Sequence, residues 1–161
     1  MGIEKDKAIR LSKLLKDKLI NLELKGKTKT EVIAELVQLI SKSGRVRNKK
    51  AFLKAILERE KLGSTGIGNG VAIPHARSEG IGDFILAFAR QDAGIDYGAL
   101  DGEKTYLFFS LASPKDEVGG HLKILAEISR LVKDKFIVDL LRKAKSKKEI
   151  LKIISYAEAH P

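Results

Sequence analysis

The sequence predicts an α/β fold, a three-layer α/β/α sandwich around a mixed β-sheet, in a single domain over residues 1–161. Two observations carry that expectation. Phe84-Ile85-Leu86-Ala87-Phe88-Ala89 and Tyr106-Leu107-Phe108-Phe109-Ser110-Leu111-Ala112 are nearly continuous apolar runs, the pattern of strands covered on both faces. Segments with apolar residues at helical period lie both before and after them, enough to supply a helical layer on each side. With 161 residues and 43% hydrophobic content, the chain is long enough to bury a core without staples.

Taken in order, Ile9 to Leu15 carries apolar residues at helical spacing. Leu19 to Leu24 alternates from Ile20 onward and reads as a half-buried strand, which Lys25-Gly26-Lys27 turns. Thr28-Lys29-Thr30-Glu31 has capping-box spacing, and Val32, Leu36, Leu39 and Ile40 follow at helical period. Ser43-Gly44 ends that helix. Asn48 caps the next, which presents Phe52, Ala55, Ile56 and Arg59 on one face and stops at Gly63. Val71-Ala72-Ile73 is a short buried strand that Pro74 ends, because proline cannot donate to a ladder. The two long strands follow, with a turn expected at Asp92-Ala93-Gly94 and a break at Ser113-Pro114. A polar loop from Lys115 to Gly120 leads to His121, which is expected to open a helix with Leu122, Leu125, Ile128 and Val132. A further helix covers Phe136 to Ala144. Ser146-Lys147-Lys148-Glu149 then repeats the capping box before Ile150, Ile153 and Ile154.

Composition narrows the chemistry. There is no cysteine, which excludes disulfides and cysteine-based zinc sites. The N-terminus is charged, and no apolar run approaches the ~20 residues of a membrane helix. A soluble, cytoplasmic protein with no direct membrane insertion is expected. The net charge of +10 raises nucleic acid as a partner. Few aromatic residues interleave with basic runs such as Arg142-Lys143-Ala144-Lys145-Ser146-Lys147-Lys148, so a solvated helix face is the better reading and no nucleic acid is expected.

The stretch that concentrates the chemistry is Gly63-Ser64-Thr65-Gly66-Ile67-Gly68-Asn69-Gly70-Val71-Ala72-Ile73-Pro74-His75. Its glycines precede a strand rather than a helix, so it is not a dinucleotide fingerprint. No Gly-Lys-Ser/Thr follows, so it is not a Walker loop. The expected role of the glycines is to leave room and amide donors around His75. His75 and His121 both fall at ends of elements, where function concentrates; His160, beside the C-terminus, is expected to fray. A lone histidine is more often structural than catalytic, and two at such junctions improve the odds modestly. In a chain without cysteine or a Ser-His-Asp signature, an imidazole is the best candidate nucleophile. It has to be neutral, with one nitrogen free and the other fixed by a hydrogen bond. Arg59 is placed to supply a guanidinium fork for an anionic group, against the plainer reading of a salt bridge to Glu58 or Glu60. No acidic cluster neighbours His75, so neither a metal nor a cofactor is expected.

These residues closely resemble a known signature. Glu58 through His75, continued by Gly94-Ile95-Asp96-Tyr97-Gly98-Ala99-Leu100-Asp101-Gly102 and His121-Leu122-Lys123-Ile124-Leu125-Ala126, is similar to enzyme IIA proteins of the bacterial phosphotransferase system (PTS). The type is the fructose–mannitol one (EIIA type 2), which includes nitrogen-regulatory members, and the likeness runs from Leu19 to Ile154. It implies that His75 is phosphorylated by the carrier HPr or its nitrogen-branch relative and passes the group to a cysteine of an enzyme IIB. Arg59 and His121 match the family's supporting arginine and second histidine. The resemblance leaves two roles open, a phosphocarrier for sugar uptake and a regulatory module whose phosphorylation state controls binding to a target protein. Ala76 departs from the pattern, since many members have glycine after the histidine, and the strongly basic balance is not a feature of the signature.

Overall fold

A computed structural model describes residues 9–161. Among the described residues, six α-helices and a short 3-10 turn flank a six-stranded mixed sheet. The helices are α1 (Leu11–Leu14), α2 (Lys29–Ser41), α3 (Lys49–Lys61), α4 (Val118–Val132), α5 (Lys135–Lys143) and α6 (Lys147–Ala159). The strands are β1 (Ile20–Asn21), β2 (Gly66–Gly68), β3 (Val71–Ala72), β4 (His75–Ser78), β5 (Ile85–Ile95) and β6 (Thr105–Pro114). The order across the sheet is β1-β5-β6-β3-β2, with β4 also paired to β6. β5 and β6 are antiparallel, whereas β1 runs parallel to β5, and β3 and β4 run parallel to β6.

The two apolar runs divide by the parity of a strand. Leu86, Phe88, Leu107, Phe109 and Leu111 point to one face and pack under α1, α4, α5 and α6. Ile85, Ala87, Ala89, Phe108 and Ala112 point to the other and pack against α2 and α3. Both faces are therefore buried, which is why the runs are continuous rather than alternating. The expected α/β/α sandwich forms. Helix starts follow the caps read above: Thr28, Asn48 and Ser146 each accept a backbone N–H from the residue three further on.

Several elements differ from the expectation. β1 keeps only two of the six residues from Leu19 to Leu24, because Leu19 closes a 3-10 turn and the Asn21 side chain accepts from the Glu23 N–H. Asp92-Ala93-Gly94 is a bulge inside one long β5 rather than a turn between strands. Gly94 there takes φ +75°, a conformation glycine enters without penalty, and pairing resumes at Ile95 with Thr105. Gly66 to Gly68 is a strand paired to β3, not an open loop. Pro74 interrupts the ladder without ending it: Ala72 faces Phe108, and His75 faces Leu111 in the same register. α1 is four residues long, and α4 begins at Val118, so His121 lies in its first turn rather than opening it.

Candidate functional site

β4 alternates. Ala76 and Ser78 are buried, whereas His75 and Arg77 lie more open on the opposite side. Among the described residues β4 pairs only with β6, so its other edge is unpaired. A cavity of about 1020 Å³ lies along β4, walled by Ala55 and Arg59 of α3, by Leu62 just after it, and by Val118, His121 and Leu122 of α4. None of the glycines from Gly63 to Gly70 lines it. The glycine stretch packs elsewhere: a Cβ at Gly66 would meet Ala99 and Tyr97, and one at Gly70 would meet Tyr106. The expectation that its amides surround His75 is corrected by this placement.

His75 Nδ1–H donates to the carbonyl of Ile73, two residues back, at 2.6 Å. Pro74 between them has a fixed φ, which limits how the ring approaches that carbonyl. The bond assigns the neutral tautomer and leaves Nε2 unprotonated, the nucleophilic nitrogen. Burial pushes the His75 imidazole below its ordinary value; the bond to Ile73 and the charge of Glu60 oppose this, and Arg59 adds to it. The ring is therefore neutral at pH 7.

The rings of His75 and His121 lie 5.3 Å apart, tilted by 52°. His121 is 6% exposed, and its Nδ1 lies 2.7 Å from the hydroxyl of Ser113, itself fully buried. When Ser113 donates, Nε2 of His121 carries the single proton and is a hydrogen-bond donor. Burial, then the nearby His75 and Arg77, lower its pKa from 6.5 to about 4. Because the folded value is depressed, the unfolded chain binds the extra proton more readily. The stabilisation is complete above pH 6.5 and is lost as pH falls through 4, amounting to about 3 kcal/mol. His121→Asn is expected to flatten the stability profile across that window. Urea unfolding of both proteins at pH 7 and pH 4.5 checks it, and parallel profiles would refute it.

Arg59 stands in the last turn of α3 and donates to the Gly63 carbonyl at 2.9 Å. Its two acidic neighbours are engaged elsewhere, Glu58 with Lys54 and Glu60 with Lys29. His75, His121 and Arg59 thus share one cavity. His160 does not; it stacks on Tyr156 at 4.2 Å and bonds its carbonyl instead of fraying. Two further groups escaped the sequence reading. Arg77 lines the cavity and donates to the Lys115 carbonyl at 2.6 Å. Ser113 faces Arg77 across the β4–β6 ladder. The i, i+2 spacing from His75 was the available signal for Arg77; Ser113 required the register.

A neutral imidazole with one nitrogen hydrogen-bonded thus lies in one cavity with a guanidinium and a second imidazole. Residues 13–157 match the family model for the phosphoenolpyruvate-dependent sugar phosphotransferase system, EIIA 2, and the chain belongs to that family. It is 36% identical over 137 residues to the PTS system fructose-specific EIIA component of Haloferax volcanii, covering 85% of this chain and 89% of that one. It is also 36% identical over 147 residues to the fructose-specific EIIABC component of Bacillus subtilis, covering 91% of this chain but only 23% of the relative. The crystal structure of nitrogen regulatory protein IIA-Ntr from Neisseria meningitidis superposes with a TM-score of 0.84 at 30% identity, covering 89% of this chain and 98% of that one. No helix among the described residues is long and apolar enough to cross a membrane.

Proposed function

We propose that the chain acts, as one EIIA unit in the cytoplasm, as a phosphocarrier. His75 Nε2 attacks the phosphorus of a phosphohistidine on an HPr-like donor; the new N–P bond forms as the donor's breaks, and the proton stays on His75 Nδ1, hydrogen-bonded to the Ile73 carbonyl. A cysteine thiolate of an enzyme IIB then takes the group by the same displacement. The observation that carries this reading is the 2.6 Å bond from His75 Nδ1 to Ile73, which leaves Nε2 free on the cavity side. Arg59 and the N–H of His121 would meet the equatorial oxygens, where charge spreads in the transition state. Leu62, Val118 and Leu122 rim the cavity at 84%, 45% and 60% exposure, an apolar collar suited to a protein partner rather than a small solute. The name of the Bacillus subtilis relative joins A, B and C components in one protein, which supports an enzyme IIB as acceptor. The likeness to IIA-Ntr supports the alternative in which the phosphorylation state controls binding to a target protein.

The test is incubation with phosphorylated HPr, followed by intact mass with and without EDTA. One added phosphoryl group is expected in either buffer, stable in alkali and lost in acid. Acid-stable label, or none, would overturn the proposal. Onward transfer to a IIB protein separates the two roles: the transport reading needs it and the regulatory reading does not.

A further inference from the structure

Behind the site lies a buried carboxylate that the transfer chemistry does not use. Glu60 follows Arg59 on α3, and its side chain is 6% exposed. Lys29 of α2 reaches it at 2.6 Å, the Tyr97 hydroxyl donates to it at 2.9 Å, and Thr65 donates both its backbone N–H, at 3.2 Å, and its hydroxyl. Tyr97 is fully buried and Thr65 is 4% exposed. Lys29 also lies over the Tyr97 ring, 4.5 Å from its centroid.

This cluster connects to the nucleophile through two residues. The Thr65 carbonyl accepts the Ile73 N–H at 3.0 Å, and the Ile73 carbonyl accepts the His75 Nδ1–H at 2.6 Å. On its other side the clamped segment begins at Gly63, whose carbonyl holds the Arg59 guanidinium. We propose that Glu60 is a positioning residue for phosphoryl acceptance: by clamping the bend from Gly63 to Thr65 it sets both the tautomer of His75 and the reach of Arg59.

The cluster is poorly explained by stability alone. A buried ion pair recovers little net free energy after desolvation, and apolar replacements of similar volume serve as well. Burial pushes the Glu60 carboxyl up, but the bonds from Lys29, Thr65 and Tyr97 outweigh it and hold the group below the usual carboxylate range. It is therefore ionised at pH 7. The charged groups acting on His75 are Arg59 and Glu60 from α3; Arg77 on its own strand and His121 from α4 line the same cavity. Glu60 is the acidic member whose charge favours the protonated ring.

The role in catalysis rests on the phosphocarrier reading, so the experiment keeps the two apart. Nitrogen NMR of His75 reports its tautomer and titration midpoint without any phosphoryl donor. Single-turnover acceptance from phosphorylated HPr reports the rate, and thermal melting reports the fold. Glu60→Gln is expected to lower the His75 midpoint, because a negative charge is lost, and to mix the two tautomers. Its acceptance rate is expected to fall roughly tenfold to a hundredfold, the scale of a misplaced catalytic group. If Glu60→Gln does not fold, Tyr97→Phe removes one bond to the same carboxylate and is expected to move the same readouts less. A lower melting temperature with an unchanged His75 spectrum and rate would overturn the proposal. Wild type that accepts no phosphoryl group would instead sink the phosphocarrier reading, and the NMR comparison would still decide whether Glu60 positions the ring.

Discussion

His75→Gln is expected to take up no phosphoryl group from phosphorylated HPr, while folding as wild type does. Glutamine is close to histidine in length, but its amide stands at the position of Nε2, so the variant loses only the bond from Nδ1 to the Ile73 carbonyl. The loss of stability should therefore stay near 1 kcal/mol, the worth of one hydrogen bond. The amide nitrogen has no free lone pair, however, so no N–P bond can form. Removal of the nucleophile is the largest effect any single substitution here can have. The informative complication is His121, whose ring is 5.3 Å away and is also neutral at pH 7. If it were an acceptor in its own right, label would persist in His75→Gln and map by peptide mass to α4. That outcome would reverse the roles of the two histidines.

The elements were legible where a local signal decides them. Three helix starts were written in Thr28, Asn48 and Ser146, whose side chains meet the donors expected of them. The two long strands were legible because burial on both faces leaves an unbroken apolar run. What was not legible depends on pairing. Asp92-Ala93-Gly94 has the composition of a turn, and only the resumption of pairing at Ile95 makes it a bulge. Pro74 looks like a strand end, yet β6 carries the ladder past it in register, so His75 sits inside the sheet edge and not in a loop. The same limit applies to the site. Residue type and position were enough to single out His75, His121 and Arg59, which line one cavity. Ser113 reaches His121, and Glu60 reaches the Thr65 segment, only through contacts that the sheet and the α3 end create. The glycines misled for a related reason: a Cβ at Gly66 would press on Tyr97 and Ala99 and one at Gly70 on Tyr106, contacts that only the folded chain creates.

Arg59 carries the second large effect. Arg59→Ala is expected to slow phosphoryl acceptance by roughly a hundredfold or more, the range for losing one preorganised donor to a developing anion. Arg59→Lys should recover only part of that rate, because a lysine ammonium is a point charge without the planar fork. Both variants should also lose the bond from the guanidinium to the Gly63 carbonyl, a cost to stability of about 1 kcal/mol. The two contributions separate by measurement. If Arg59 only caps the end of α3, melting temperature falls and single-turnover rates stay at the wild-type value. If it stabilises the transferring group, the rate falls far more than stability does, and lysine ranks between alanine and arginine. The pH dependence adds a check of sign. Arg59 lowers the His75 pKa alongside burial, so its removal should raise the titration midpoint of His75, the opposite of the shift expected for Glu60→Gln. An unchanged midpoint in Arg59→Ala would place the guanidinium too far from the ring to act on a group held at Nε2.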